Sequence, residues 1–376
     1  MKKFRSYLLE KAVPKIMANR GDVAEVLVGA AVTAKFYAKP VEKVTRKDVE
    51  DILQKVIATG NMSVTRPDIA SGTTQVSDGI RFKVGVPAKA WEFIKNSRNW
   101  PDVNDLFDSA IKYVNSDRRL GLQARVMYRN SKKNDIFINS DGTGDQKGTK
   151  ADIKLEIDGK PTRNQISLKV KGGEQFAQVA GVGFEKIITI WKKLGIDVSS
   201  AKDAYNKHFI KADLETRFKD RASINQTAVG ENLRAAAGEA YKVGADKMKT
   251  AFTNADSDII HSLAMFIKSG AVKEEDNIEL VKLTGGTFKR AKFGKKFEEN
   301  MKAVASSLTV EYSRKTDPIV KIYDKSIGSG AKGLLIQIRG KYTAESSGSG
   351  DKKVYKAYFR NIVEAGDLFF ELATDR

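Results

Sequence analysis

The 376-residue sequence contains no cysteine, only two histidines, and far fewer acidic than basic side chains. Without cysteine there is no disulfide, no thiolate metal site and no cysteine nucleophile. His208 and His261 stand far apart in the chain, so neither a histidine-rich metal centre nor an HNH-type nuclease is expected. His261 falls in an apolar helical run, where a core or rim role suits it better than ligation. No apolar run is long enough for a membrane span, and the basic first seventeen residues are broken by Glu10, Lys11 and Lys15, unlike the continuous apolar core of a signal peptide. The expectation is a cytoplasmic protein that does not engage a membrane.

What is present suffices for a large core. Hydrophobic residues make up 41% and charged residues 30% of the chain, the balance of a folded protein of one elaborated domain or two. The 66 Lys and Arg outweigh 47 Asp and Glu for a net charge of +19. Such an excess favours a polyanionic partner, most simply nucleic acid, with acidic proteins or a membrane surface as the alternatives.

The most informative stretch is residues 151–181. Residues 152–157 alternate charged and apolar, Asp158-Gly159 follows as a turn signal, and residues 165–171 alternate again, the pattern of a hairpin. Parity puts Asp152, Lys154 and Glu156 on one face of the first strand, and Ser167, Lys169 and Lys171 on one face of the second. If these faces coincide, two carboxylates and a lysine stand side by side, with Gln175 and Gln178 just after. Carboxylates so placed can hold a divalent cation, and the ammonium can sit beside an attacking water. The plainer alternative is a surface hairpin with one solvated face.

Asp152, with Ser167-Leu168-Lys169 and the glutamine-bearing continuation to Gln178, resembles the core of the PD-(D/E)XK nucleases. The likeness is to restriction-endonuclease-like members whose second acidic position has become Ser, Gln or Asn. It covers this stretch and one helix near the N-terminus. It implies an α/β (α+β) fold: a mixed central sheet with flanking helices, a restriction-endonuclease-like core carrying a helical insertion. Nucleases of this class often present a glutamate to the metal from an N-terminal helix. Glu25 matches that role, on a helix opened by Gly21-Asp22 where it shares a face with Asp22, Gly29 and Val32. The small Gly29 would admit another element closely. In this reading Asp152 is the principal ligand of Mg²⁺ or Mn²⁺, Glu25 supports it, and Glu156 adds a carboxylate opposite Ser167. Lys169 orients water and counters charge, and Gln178 positions a water or phosphate.

The function implied is a metal-dependent DNA endonuclease, restriction-like or homing-like, and a palindromic target would call for a homodimer. A catalytically degenerate nucleic-acid-binding protein with the same fold is the alternative; a structural or regulatory protein without nucleic acid is the third class.

Elsewhere the pattern predicts helices over residues 3–19, 45–57, with Thr45 and Asp48 as a capping box, 91–96, 102–114 and 175–195, and a mainly helical stretch over 200–268. Strands are expected over 79–86, 123–128, 135–139, 278–283, 307–312, 319–323, 333–339, 354–359 and 368–372, with residues 61–78 read as polar and turn-rich. Nucleic-acid contacts are expected from Arg125, Arg129, Lys132, Lys133 and Lys171, and from the basic run Lys289, Arg290 and Lys292. The expected division is a core over 1–195, a helical insertion over 196–275 and a strand-rich region over 276–376 packed on the core.

Overall fold

The alanine- and valine-rich run after Asn19 folds as helix α1 (Arg20–Tyr37), with Asp22 in its first turn and buried residues around most of its circumference. A helix apolar on nearly every side belongs inside a domain, and α1 packs against strands β3, β4 and β7 and helix α4, defined below. The structure is a computed structural model that describes residues 18–37, 43–66, 68–129, 135–141, 151–162, 165–170, 175–181, 183–208, 228–272, 278–314, 316–347 and 354–373. The helix expected over 3–19 lies almost wholly outside these residues.

The chain is a mixed α/β protein with twelve helices and three sheets among the described residues. It divides into two compact units, residues 1–171 with 277–289 and residues 172–276 with 290–376.

In the first unit a six-stranded sheet has the order β1 (Ser63–Arg66), β2 (Ile69–Ser77), β3 (Ile80–Pro87), β4 (Ile136–Ser140), β5 (Lys154–Ile157), β6 (Lys160–Pro161). β3 and β4 are parallel, and the other pairs are antiparallel. A second sheet has the order β10 (Thr287–Ala291), β9 (Ile278–Thr284), β7 (Gln165–Val170), with β7 parallel to β9. The bridge between Ile153 and Ile166 links the two sheets. Helices α2 (Arg46–Ala58), α3 (Ala88–Ile94), α4 (Asn104–Ser116) and α5 (Arg118–Arg129) complete the unit. The expected capping box closes α2: Thr45 N–H donates to Asp48 Oδ2 at 2.7 Å, and Asp48 N–H to Thr45 Oγ1 at 3.3 Å. Val49, Ile52, Leu53 and Val56 are its buried stripe.

The second unit contains an antiparallel sheet in the order β11 (Leu308–Arg314), β12 (Pro318–Asp324), β13 (Leu334–Ser347), β14 (Val354–Ala365), β8 (Gln175–Gly181). Its helices are α6 (Phe184–Ile187), α7 (Thr189–Lys193), α8 (Lys202–His208), α9 (Ala228–Thr253), α10 (Ser257–Val272), α11 (Lys295–Val304) and α12 (Asp367–Leu372). α9 packs on β11, β12 and β13, and Tyr241 of that helix donates to buried Asn361 at 2.6 Å. Trp191 meets Tyr241 edge-on, over Gly244, where a Cβ would lie 2.6 Å from the indole.

Four stretches differ from expectation. Residues 123–128, expected as a strand, lie in α5, because Asp117 Oδ1 accepts from Arg119 N–H at 2.8 Å and Leu120 N–H at 3.0 Å and so caps a helix. Residues 175–181, expected as helix, form β8, where pairing with distant β14 outweighs local preference. Residues 368–372, expected as a strand, form α12, whose Leu368, Phe369, Phe370 and Leu372 are all buried; a short apolar run broken only by Glu371 is too brief to separate helix from strand by period. The turn-rich residues 61–78 contain β1 and β2.

Candidate active site

Glu25 is brought to the sheet by two small residues. Gly29, one turn further along α1, has no room for a side chain: a Cβ there would lie 2.8 Å from the Phe82 ring and 3.1 Å from Ser140 Cβ. The helix can therefore settle against β3 and β4, and Ser140 Oγ donates to the Glu25 carbonyl at 2.9 Å. Gly29→Ala should cost about 1–3 kcal/mol by overpacking, read from urea unfolding; unchanged stability would show that the approach is looser.

On the other side Asp152 immediately precedes the Ile153 bridge, its backbone N–H donating to Ile166 carbonyl at 2.7 Å. Asp152 Oδ2 accepts from Leu168 N–H at 2.5 Å and from Ser167 Oγ at 3.4 Å. Lys169 Nζ stands 3.8 Å from the same oxygen and donates to Leu168 carbonyl at 2.9 Å and Ser167 Oγ at 3.4 Å. Only about a fifth of the Lys169 and Asp152 side chains is exposed, 19% and 21%. Asp152, just ahead of β5, thus forms one hydrogen-bonded group with Ser167 and Lys169 of β7.

Electrostatics tie Glu25 to that group. Burial pushes its carboxyl up to about 9, Asp152, Asp22 and Asp141 push the same way, and Lys169 opposes them. Among the described residues its Oε2 is buried without a hydrogen-bond partner. Burial also raises Asp152, against the pull of Lys169, the Leu168 N–H and Ser167. Two carboxyls are therefore held in a place hostile to negative charge. Asp141 lies just beyond β4 and pairs with Lys83 at 2.6 Å, in space that Gly85 leaves open: a Cβ on Gly85 would meet Asp141 Oδ1 at 2.0 Å. The roles of Lys83, Gly85 and Ser140 were not read from the sequence; a glycine inside β3 was the one signal.

Other expected site residues lie elsewhere. Glu156 does not stand opposite Ser167: it pairs with Phe137 of β4 and Pro161 of β6. The reason is the turn, where Asp158 and Gly159 both have positive φ, 51° and 72°, so the chain folds straight back as β6, and the bridge to β7 forms at Ile153, ahead of β5. Gln178 is an exposed residue of β8 in the second unit and accepts from Gln175 Nε2 at 2.9 Å. Arg125 is exposed on α5, and Arg129 ends that helix. Lys289 and Arg290 lie on β10, and Lys292 follows it, its N–H donating to Ala373 carbonyl at 2.6 Å. Lys132, Lys133 and Lys171 lie outside the described residues.

Among the described residues no three acidic or histidine side chains form a ready metal cage. Glu25 and Asp152 nevertheless fit Mg²⁺ or Mn²⁺, because Mg²⁺ commonly binds through one or two carboxylates and keeps waters and phosphate oxygens. Glu25 Oε2, buried and without a hydrogen-bond partner among the described residues, is an oxygen suited to that use. No described helix is long and apolar enough to cross a membrane. No protein family, curated protein or solved structure matches the chain.

Proposed function

We propose that the protein is a metal-dependent DNA endonuclease with a restriction-endonuclease-like core in its first unit. The observation that carries this reading is the meeting of Glu25 from a buried helix with Asp152, Ser167 and Lys169 from the β5–β7 junction. The mixed sheet, α1 across it, and the helices between β7 and β9 also support the reading.

Phosphodiester hydrolysis needs an oriented water, neutralisation of charge on the phosphorane-like transition state, and help for the departing oxygen. A Mg²⁺ or Mn²⁺ ion held by Glu25 and Asp152 would supply Lewis-acid charge neutralisation and lower the pKa of water. Lys169 places a fixed ammonium next to the Asp152 carboxylate, where it can donate to a phosphate oxygen and hold the attacking water. Ser167 joins the two by hydrogen bonds to both. Serine there removes a negative charge that an acid would place beside Asp152; Glu25, arriving from α1, restores the second carboxylate. The excess of basic residues over the whole chain favours association with the polyanionic substrate.

The test is supercoiled plasmid and long genomic DNA with Mg²⁺ or Mn²⁺, with and without EDTA, for wild type and Asp152→Asn. Metal-dependent cutting lost in the variant supports the proposal. Uncut DNA that both proteins bind equally favours the degenerate nucleic-acid binder instead.

Metal binding should also release a proton. Glu25 is protonated at neutral pH if its carboxyl titrates near 9, and a metal needs it ionised. Affinity for Mg²⁺ should therefore rise as pH rises, by up to roughly tenfold per unit below that value. Calorimetry in buffers of different ionisation enthalpy reads the proton directly, and binding independent of pH would refute the assignment.

A further inference from the structure

Helix α5 carries a surface the catalytic reading leaves unused. From Arg118 to Asn134 the sequence has six Lys and Arg and no Asp or Glu. Leu120 and Ala124, 1% and 2% exposed, belong to the core of the first unit. Asp117 caps the start, and the helix packs on α1 and α4. Its outward side is therefore fixed. At about 100° per residue, Arg125, Arg118, Leu122, Val126 and Arg119 fall, in that order around the axis, within an arc of roughly 120°. Arg118, Arg119 and Arg125 are exposed, as are Leu122 at 56% and Val126 at 57%.

We infer that α5 enters the major groove of duplex DNA, its arginines on phosphates and guanine edges and Leu122 and Val126 against thymine methyl groups. This rests on the endonuclease reading and deepens it, since it assigns the element that selects the target. A major groove admits one helix, and arginine to guanine and apolar side chain to thymine methyl are contacts that distinguish base pairs there. Charge complementarity favours this occupant. A second copy of the chain would set arginines against arginines. A helix lying in a membrane surface separates a broad apolar face from a basic one, whereas here two apolar residues are flanked by arginine on both sides. Duplex RNA is excluded by its narrow, deep major groove. α5 also packs on α1, the helix that carries Glu25, so the groove contact and the cutting site share a rigid support.

The test uses full-length protein in a Lys169→Ala background, which removes cutting, with fluorescence anisotropy on duplex DNA, duplex RNA and anionic phospholipid vesicles, and with selection from a randomised duplex pool. Arg118→Gln with Arg119→Gln and Arg125→Gln should weaken duplex DNA binding at least about tenfold and flatten its salt dependence. Leu122→Ser with Val126→Ser should change the sequence enriched from the randomised pool. Unchanged thermal unfolding shows that both variants fold. The inference is overturned if the arginine variant binds duplex as tightly as its parent, if the serine variant selects the same sequence, or if RNA or vesicles bind as well as DNA through these residues. Should those variants behave as the parent while wild-type protein still cuts plasmid, the groove assignment fails alone; with no DNA binding or cutting at all, the endonuclease reading fails with it.

Discussion

Replacing Lys169 by methionine should slow plasmid cleavage by about 10²- to 10⁴-fold, the range lost when a positioned proton or charge donor is removed. Methionine keeps an apolar stem of similar length and deletes the ammonium that lies 3.8 Å from Asp152 Oδ2. The carboxylates remain, so Mg²⁺ should still bind. Lys169 is the strongest influence pulling the Asp152 carboxyl down against burial, and without it protons compete better with the metal. Binding in the variant is therefore best compared at alkaline pH, where protons compete less with the metal. Asp152→Asn makes the contrast: it removes a ligand and should lose binding and cleavage together. Single-turnover cleavage with saturating metal separates these cases. A Lys169→Met protein that cuts at the wild-type rate would remove Lys169 from the chemistry and leave the site a metal-binding one at most.

The parts of this arrangement that were legible in the sequence are the local ones. The Thr45 and Asp48 capping box needs four consecutive residues, and the turn at Asp158-Gly159 needs two positions that tolerate positive φ. The sequence also marks Gly29 on the Glu25 face as a place of close approach, because a missing side chain is visible without its partner; the partner, Phe82 with Ser140, is not. What escaped reading depends on residues far apart. β8 is a strand because Val179 pairs with Asn361, and nothing near Val179 announces that. Glu156 was assigned to the site by assuming one continuous hairpin, but β6 intervenes and shifts the partner of β5. Two-residue periodicity fixes which side chains share a face, not which strand lies alongside. The outward face of α5 illustrates the same limit: Arg125 expected on a strand would be presented quite differently from Arg125 on a capped helix.

Glu25→Gln should make the metal-free protein more stable while removing its metal site. In the unfolded chain Glu25 ionises near its ordinary 4.5, whereas in the folded protein its carboxyl is pushed up to about 9 by burial and by the neighbouring acids. Between those values the unfolded state has given up a proton that the native state retains, so folding stability falls as pH rises. The contribution is fully present below 4.5, declines through neutral pH, and levels off once the native carboxyl has ionised above about 9. At pH 7 the deficit is roughly 3 kcal/mol. Glutamine has nearly the same shape and no charge at any of these pH values, so the variant should recover on the order of 1–3 kcal/mol at neutral to mildly alkaline pH, less whatever its amide loses if Oε1 and Nε2 find no partner in the space that Oε2 occupies. Its unfolding free energy should also depend less on pH. Chemical denaturation of both proteins without metal across that interval gives the two curves, which should converge at acid pH and separate as pH rises. Adding Mg²⁺ should reverse the order, because only the carboxylate gains from the ion and ligand binding stabilises the native state by mass action. Parallel curves, with no gain in the variant, would mean that Glu25 ionises as an ordinary surface acid and is not held against Asp152. Converging curves with no response to metal would keep the electrostatics and discard the ligand role. The full pattern, stability gained without metal and lost in its presence, is what a residue retained for function at the expense of the fold should show.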